Sequence, residues 1–73
     1  MTNDLIKIEY YYYEGMKAYN ENELIRAADI FLKCYDTYEN ADLHHFDSRI
    51  KQIAEEALKL YTQITGLDYG FHG

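Results

Sequence analysis

Proline is absent from this chain of 73 residues, glycine occurs four times and cysteine once. Because helix breakers are so few and 48% of the residues are hydrophobic, the chain is too apolar to stay disordered and should fold as one domain. The single cysteine, Cys34, excludes an internal disulfide. It stands in an apolar stripe, which predicts a small core residue rather than a reactive thiol.

Basic residues and long apolar runs are also scarce. Thirteen acids against seven bases give a formal charge of −6, which disfavours direct binding to nucleic acid because phosphate affinity comes largely from lysine and arginine. No apolar run reaches transmembrane length, and residues 1–4 lack the basic segment and apolar block of a secretory signal. We therefore expect a cytoplasmic protein that contacts neither nucleic acid nor membrane.

Apolar residues are instead spaced three and four apart, which predicts helices. The first should run from about Asp4 to Tyr19, and the polar connection 20–23 should reverse the chain. The second should run from about Glu23 to Tyr38, with an apolar arc wide enough for a central helix that is contacted from two sides. The third should follow a cap at Asp42.

Gly66 is a fitting stop for the third helix. We predict an all-α fold, an antiparallel helical hairpin plus a long third helix, with a three-helix domain at 1–66 and a C-terminal tail at 67–73. The predicted core-facing residues are Leu5, Ile8, Tyr12, Gly15, Met16 and Tyr19 of the first helix, Leu24, Ala27, Ala28, Phe31, Cys34, Tyr35 and Tyr38 of the second, and Leu43, Phe46, Ile50, Ile53, Ala57, Leu60, Tyr61 and Ile64 of the third.

Four consecutive tyrosines, 10–13, lie within the first helix. Since an α-helix turns about 100° per residue, four neighbours point all around it and cannot all be buried. We predict that Tyr12 faces the core and that the others are available for contact, because tyrosine supplies large contact area at small entropic cost. The predicted protein interface consists of Ile6, Tyr10, Tyr11, Tyr13 and Lys17.

The hairpin carries a pattern of small and aromatic residues: Tyr11, Gly15, Asn22, Leu24, Ala27, Phe31 and Cys34. Over about residues 8–41 this pattern resembles the tetratricopeptide repeat, in which small residues let two helices approach closely. The resemblance implies a protein-binding hairpin whose first helix lines the concave side, with the third helix as a cap. Ala18 and Glu39 depart from the pattern, and it does not restart after Asp42, so a plain three-helix bundle is the alternative.

Motifs for catalysis or metal binding are weak. The adjacent His44 and His45 diverge on a helix and have no cysteine or histidine three or four residues away. Cys34 lacks the glycine-rich turn of a nucleophile, and Glu55 with Glu56 lies on a solvated face. We expect no catalytic residue, no metal and no cofactor.

The function predicted is that of a non-enzymatic adaptor or small regulator that binds a protein partner and self-associates through its aromatic helix face. The apolar stripe of the third helix is an alternative dimer seam. Another class of function is an acidic inhibitor that mimics nucleic acid and blocks a basic cleft; a third is a structural or assembly component. Mimicry requires that Lys17, Arg26 and Lys33 lie apart from a contiguous acidic array formed by Asp4, Glu14, Glu21, Asp29, Asp36 and Glu39.

Overall fold

Three helices form the structure, a computed structural model that describes residues 2–41 and 48–66. They are α1, Thr2–Asn20; α2, Leu24–Asn40; and α3, Ser48–Thr65. The predicted all-α, three-helix fold is confirmed, and the ends of α1 and α2 fall within two residues of their predicted positions. The predicted start of the third helix, with Asp42, Leu43 and Phe46, and the tail 67–73 lie outside the described residues.

The hairpin between α1 and α2 turns at Asn22, whose backbone is left-handed with φ at 65°. The amide of Glu21 donates to the carbonyl of Lys17 at 3.1 Å, and the amide of Glu23 donates to that of Ala18 at 2.9 Å. Asparagine tolerates left-handed angles better than most residues, so its place here fits the sharp reversal. The predicted turn is confirmed.

Small residues allow α1 and α2 to pack closely. Gly15 and Ala18 of α1 are buried, as are Ala27 and Cys34 of α2, and the ring of Phe31 fills the space against Gly15. The Cys34 thiol donates to the Ile8 carbonyl at 3.3 Å, which ties the hairpin together nearer its open end.

The second helix is the central one. It packs against both α1 and α3, whereas the contact between α1 and α3 is smaller. The wide apolar arc of α2 predicted this position. The buried hydrophobic side chains of the core are Ile8, Ala18, Ala27, Ala28, Phe31, Cys34, Ile50, Ala54, Ala57, Leu58 and Leu60.

Two predicted core residues, Tyr19 and Leu24, are exposed by 37% and 41%. Both predictions were wrong because both residues lie at a helix terminus, Tyr19 at the C-terminus of α1 and Leu24 at the N-terminus of α2. Ala18, which points about 100° away from Tyr19, takes the buried position beside the turn. Helical side chains lean toward the N-terminus, so that of Leu24, the first residue of α2, leans past the start of its helix.

Apart from Tyr19, the tyrosines predicted to face the core are half-buried rather than fully buried. The Tyr12 ring centroid lies 6.2 Å from that of Phe31, and Tyr38 and Tyr61 also pack against the core. Burial, followed by the nearby charges of Glu56 and Cys34, raises the pKa of Tyr12.

The apolar stripe of α3 is used within the monomer. Ile50, Ala57 and Leu60 are all buried in the core, with exposures of 3%, 0% and 8%. The described part of this stripe is therefore largely covered within the monomer, which leaves little of it for the alternative dimer seam, and Leu43 and Phe46 lie outside the described residues. The helix ends as predicted at Gly66, where φ is 75° and the amide donates to the Thr62 carbonyl at 2.7 Å.

None of the helices described combines the length and the apolar character needed to span a bilayer.

Candidate protein-interaction surface

One face of α1 exposes a row of large side chains to solvent. Ile6, Tyr10 and Tyr13 are exposed by 62%, 57% and 65%. Lys17, one turn further along the helix, is also exposed. Their spacings of four, three and four place them within an arc of about 60° on the side of α1 opposite the buried Ile8. We call these four residues the outer face of α1.

Tyr11 does not lie on the outer face. It points about 100° away from Tyr10 and is half-buried against the core. Its ring nevertheless contacts that of Tyr10, with centroids 5.9 Å apart and planes tilted by 58°. Of the five predicted interface residues, four therefore share one face and Tyr11 supports a ring of that face from the side.

Charged residues border the outer face on both sides. Lys7 is exposed and Glu14 half-buried along one edge. On the other edge, Glu9 accepts from the guanidinium of Arg49 at 2.7 Å, an ion pair that links α1 to α3. The apolar row thus has a charged border, which is the usual plan of a protein-binding surface.

Acids and bases alternate at the hairpin end. A shallow cleft of about 170 Å³ there is lined by Glu14, Lys17, Ala18, Glu21, Glu23 and Arg26. Arg26 lies 3.7 Å from Glu23, and farther along α2 Lys33 lies 3.7 Å from Asp29. The basic residues are therefore placed among the acids rather than apart from them.

A second apolar exposure was not predicted as part of the interface. Ile25 is exposed by 88% and adjoins the exposed Leu24 at the start of α2. Its position, about 120° from the buried Phe31, could have been read from the sequence. The uncovered first turn of α2 could not, because periodicity does not show where a neighbouring helix ends.

Cys34 lies in the core with no exposed surface. Burial raises the pKa of its thiol to about 12. A thiol that stays protonated at neutral pH is a poor nucleophile, which agrees with the predicted role as a packing residue.

Within residues 2–41 and 48–66, no group of three acidic, cysteine or histidine side chains is arranged to hold a metal ion. The adjacent histidines, His44 and His45, lie outside the described residues.

Comparison with protein-family models finds no match, and comparisons with curated proteins and with solved structures find no significant match either. No family is therefore assigned. The close contact of Gly15 with Phe31 is the packing that the tetratricopeptide resemblance expects of a hairpin. One hairpin with a third helix is not a repeat array, so that resemblance stays a prediction.

Proposed function

We propose that this protein is a non-enzymatic binding module, an adaptor or small regulator, that recognises protein partners through the outer face of α1 and also associates with itself. The observation that carries the proposal is the alignment of Ile6, Tyr10 and Tyr13, each more than half exposed, on the side of α1 that its own core leaves uncovered.

Physical chemistry supports this role for the outer face. Removing large apolar side chains from water is favourable, so the free energy falls when a partner covers such an exposed row. Tyrosine suits such a row because its ring buries a large area while its hydroxyl keeps a polar contact. The Tyr11 ring lies beside that of Tyr10, with centroids 5.9 Å apart, and a ring held in place before binding loses less entropy when a partner covers it.

The nucleic-acid mimic is the weaker proposal. Phosphate mimicry needs an acidic array without intervening cations, yet Lys33 lies 3.7 Å from Asp29 and Lys17 and Arg26 line the same cleft as Glu21. If mimicry were the function, reversing the charges of Asp29 and Asp36 would abolish binding to a basic cleft, and added salt would weaken that binding steeply.

The test replaces Tyr10 and Tyr13 together by alanine in the full chain. Proteins captured from a lysate by the wild type and by the variant are compared by mass spectrometry, and self-association is followed by sedimentation velocity. Ile25→Ala is the matched control, because it truncates a side chain that is 88% exposed but lies on α2.

We expect the double variant to lose the captured partner and self-association, the control to keep both, and all three proteins to share the same helical circular dichroism. If the double variant keeps its binding, the outer face is not the recognition surface. If wild type binds neither itself nor another protein, the proposed function is wrong.

A further inference from the structure

The outer face of α1 is symmetrical along the helix. Ile6 and Lys17 lie equally far from the midpoint between Tyr11 and Tyr12, and so do Tyr10 and Tyr13. A second α1 laid antiparallel across this midpoint would place Tyr10 opposite Tyr13 of the other copy, and Ile6 opposite the aliphatic stem of Lys17. A twofold dimer requires this reciprocity, because each contact must occur twice.

The charged edge formed by Lys7 and Glu14 is complementary to itself about the same twofold axis. In an antiparallel pair of helices, each edge of the interface faces the same edge of the other copy. At a rise of about 1.5 Å per residue, Lys7 would lie about 3 Å along the axis from Glu14 of the second copy, within reach of a long side chain. Two intermolecular ion pairs would form. Within one chain, Lys7 and Glu14 are two helical turns apart and are not neighbours on the helix.

The opposite edge adds little repulsion to this arrangement. Its acid, Glu9, already accepts from Arg49 at 2.7 Å within the same copy. At the same rise, the two copies of Glu9 would lie about 7.5 Å apart along the axis. Their charges are therefore partly neutralised and separated.

A parallel pairing lacks these advantages. It would place Lys17 against Lys17 of the other copy at one end of the interface, and like charges that face each other at an interface are costly. It would also bring the Lys7 edge against the Glu9 edge, where Lys7 would lie about 3 Å along the axis from Glu9 of the other copy. That Glu9 already accepts from Arg49 of its own copy at 2.7 Å, and Glu14 would gain no basic partner. Charge complementarity therefore selects the antiparallel orientation.

The contact would be small. From Ile6 to Lys17 the outer face spans about 16 Å, and a helix is about 10 Å wide. This footprint is well below the roughly 800 Å² per partner of a standard interface. A dimer held by it should exchange readily and depend on concentration.

We propose that the outer face of α1 is occupied by a second copy of this chain, as an antiparallel twofold dimer with Tyr10 against Tyr13 and Lys7 paired with Glu14 across the interface. The inference rests on the proposed function, because it names the partner of the same surface.

The experiment uses charge reversal and rescue in the full chain. In a dimer of Lys7→Glu, two acids face each other at both ion pairs, and in a dimer of Glu14→Lys two bases do. The double variant again has one acid and one base at each pair, with their positions exchanged. Mixing the two single variants in equal amounts also restores both pairs, but only in the heterodimer. Lys51→Glu and Glu55→Lys, at exposed positions of α3, are controls with the same changes of net charge.

Sedimentation velocity over a hundredfold range of concentration, at low salt, gives the result. We expect each single variant to weaken dimerisation at least fivefold, and the double variant and the equimolar mixture to regain it. The controls should behave as wild type. A mixture labelled with a heavy isotope on one variant should show the heterodimer by native mass spectrometry.

The outcomes separate this inference from the function on which it rests. If Tyr10→Ala/Tyr13→Ala dissolves the dimer but the Lys7 and Glu14 variants show no loss and rescue of dimerisation, the antiparallel register alone is overturned. A wild type that stays monomeric at every concentration would overturn the dimer, while a different protein captured through the same tyrosines would keep the proposed function. A dimer indifferent to both sets of variants would overturn both.

Discussion

Gly15 lies directly against the ring of Phe31, so closely that a Cβ added to Gly15 would stand 2.6 Å from Cε1 and 2.7 Å from Cδ1. The ring has no exposed surface and therefore no room to withdraw. The crossing of α1 and α2 thus depends on the absence of one side chain, and this contact gives the most direct test of the packing.

Gly15→Ala should destabilise the protein although alanine favours helix. The helical preference is worth about 1 kcal/mol, whereas overpacking a core costs about 1–3 kcal/mol, so we expect a net loss of roughly 1 kcal/mol. Urea unfolding followed by circular dichroism measures it. Phe31→Leu should cost less in the Gly15→Ala background than in wild type, and additive losses would show that the two residues do not interact.

Asn22 holds the left-handed position of the hairpin, with φ at 65°. Asn22→Gly should leave the free energy of unfolding within about 0.5 kcal/mol of wild type, since glycine adopts this angle readily. Asn22→Val should cost about 1–2 kcal/mol, because a branched side chain clashes there. Thermal unfolding of the two variants checks the difference, and equal stabilities would mean that the turn relaxes to another conformation.

Cys34 should make the fold sensitive to alkali. Below pH 9.0, its ordinary pKa, the thiol is protonated in both the folded and the unfolded chain, so burial of the neutral thiol contributes fully to the free energy of unfolding. As pH rises toward the folded pKa of about 12, the unfolded chain ionises first and the free energy of unfolding falls. Tyr35 acts in the same direction from pH 10.0 upward, because burial and its bond to Glu39 raise its pKa to about 12.

Chemical unfolding at intervals between pH 7 and pH 11 measures this decline. Cys34→Ala should flatten it between pH 9 and pH 10, the interval in which the thiol titrates ahead of the phenol. The native thiol should also resist iodoacetamide at pH 8 and react once urea is added. Rapid labelling of the native protein would contradict its burial.

The ion pair between Glu9 and Arg49 joins α1 to α3 at 2.7 Å, with both side chains more than 40% exposed. Such exposed pairs contribute about 0.2–1 kcal/mol, so Arg49→Gln should cost no more than that, and the loss should shrink in high salt. Arg26→Gln is a matched control, because it removes the same charge from an ion pair with Glu23, only three residues away in the chain, and so breaks no link between helices. A larger, salt-independent loss for Arg49→Gln would point to packing by its aliphatic stem.

Helical periodicity was enough to predict the three helices, and the polar connection 20–23 and Gly66 were enough to predict the turn and the stop, because each follows from local backbone preferences. It also placed Phe31, Cys34 and Ile50 in the core, where one apolar stripe meets one neighbour. Positions that depend on how far a neighbouring helix reaches were not predicted. Tyr19 and Leu24 carry apolar signals but lie at helix ends, where coverage is incomplete.

Ala18, Ala54 and Leu58 were missed for a related reason. Alanine is compatible with both surface and core, so its burial is decided by the partner helix rather than by its own polarity. Leu58 lies to one side of the α3 stripe, and it is buried because α3 contacts both other helices, which widens the covered arc. The same geometry explains the outer face of α1: the helical wheel predicts Ile6, Tyr10 and Tyr13 on one side, but only the packing of α2 and α3 shows that side to be uncovered.

The central position of α2 has a consequence for the speed of folding. Because α2 packs chiefly against the helix before it and the helix after it in the chain, most core contacts join segments that are close in sequence. Closing short loops costs little entropy, and helical domains of such low contact order fold in roughly microseconds to milliseconds. The chain should therefore reach its native state well before any dimer can assemble, so that recognition takes place between folded molecules.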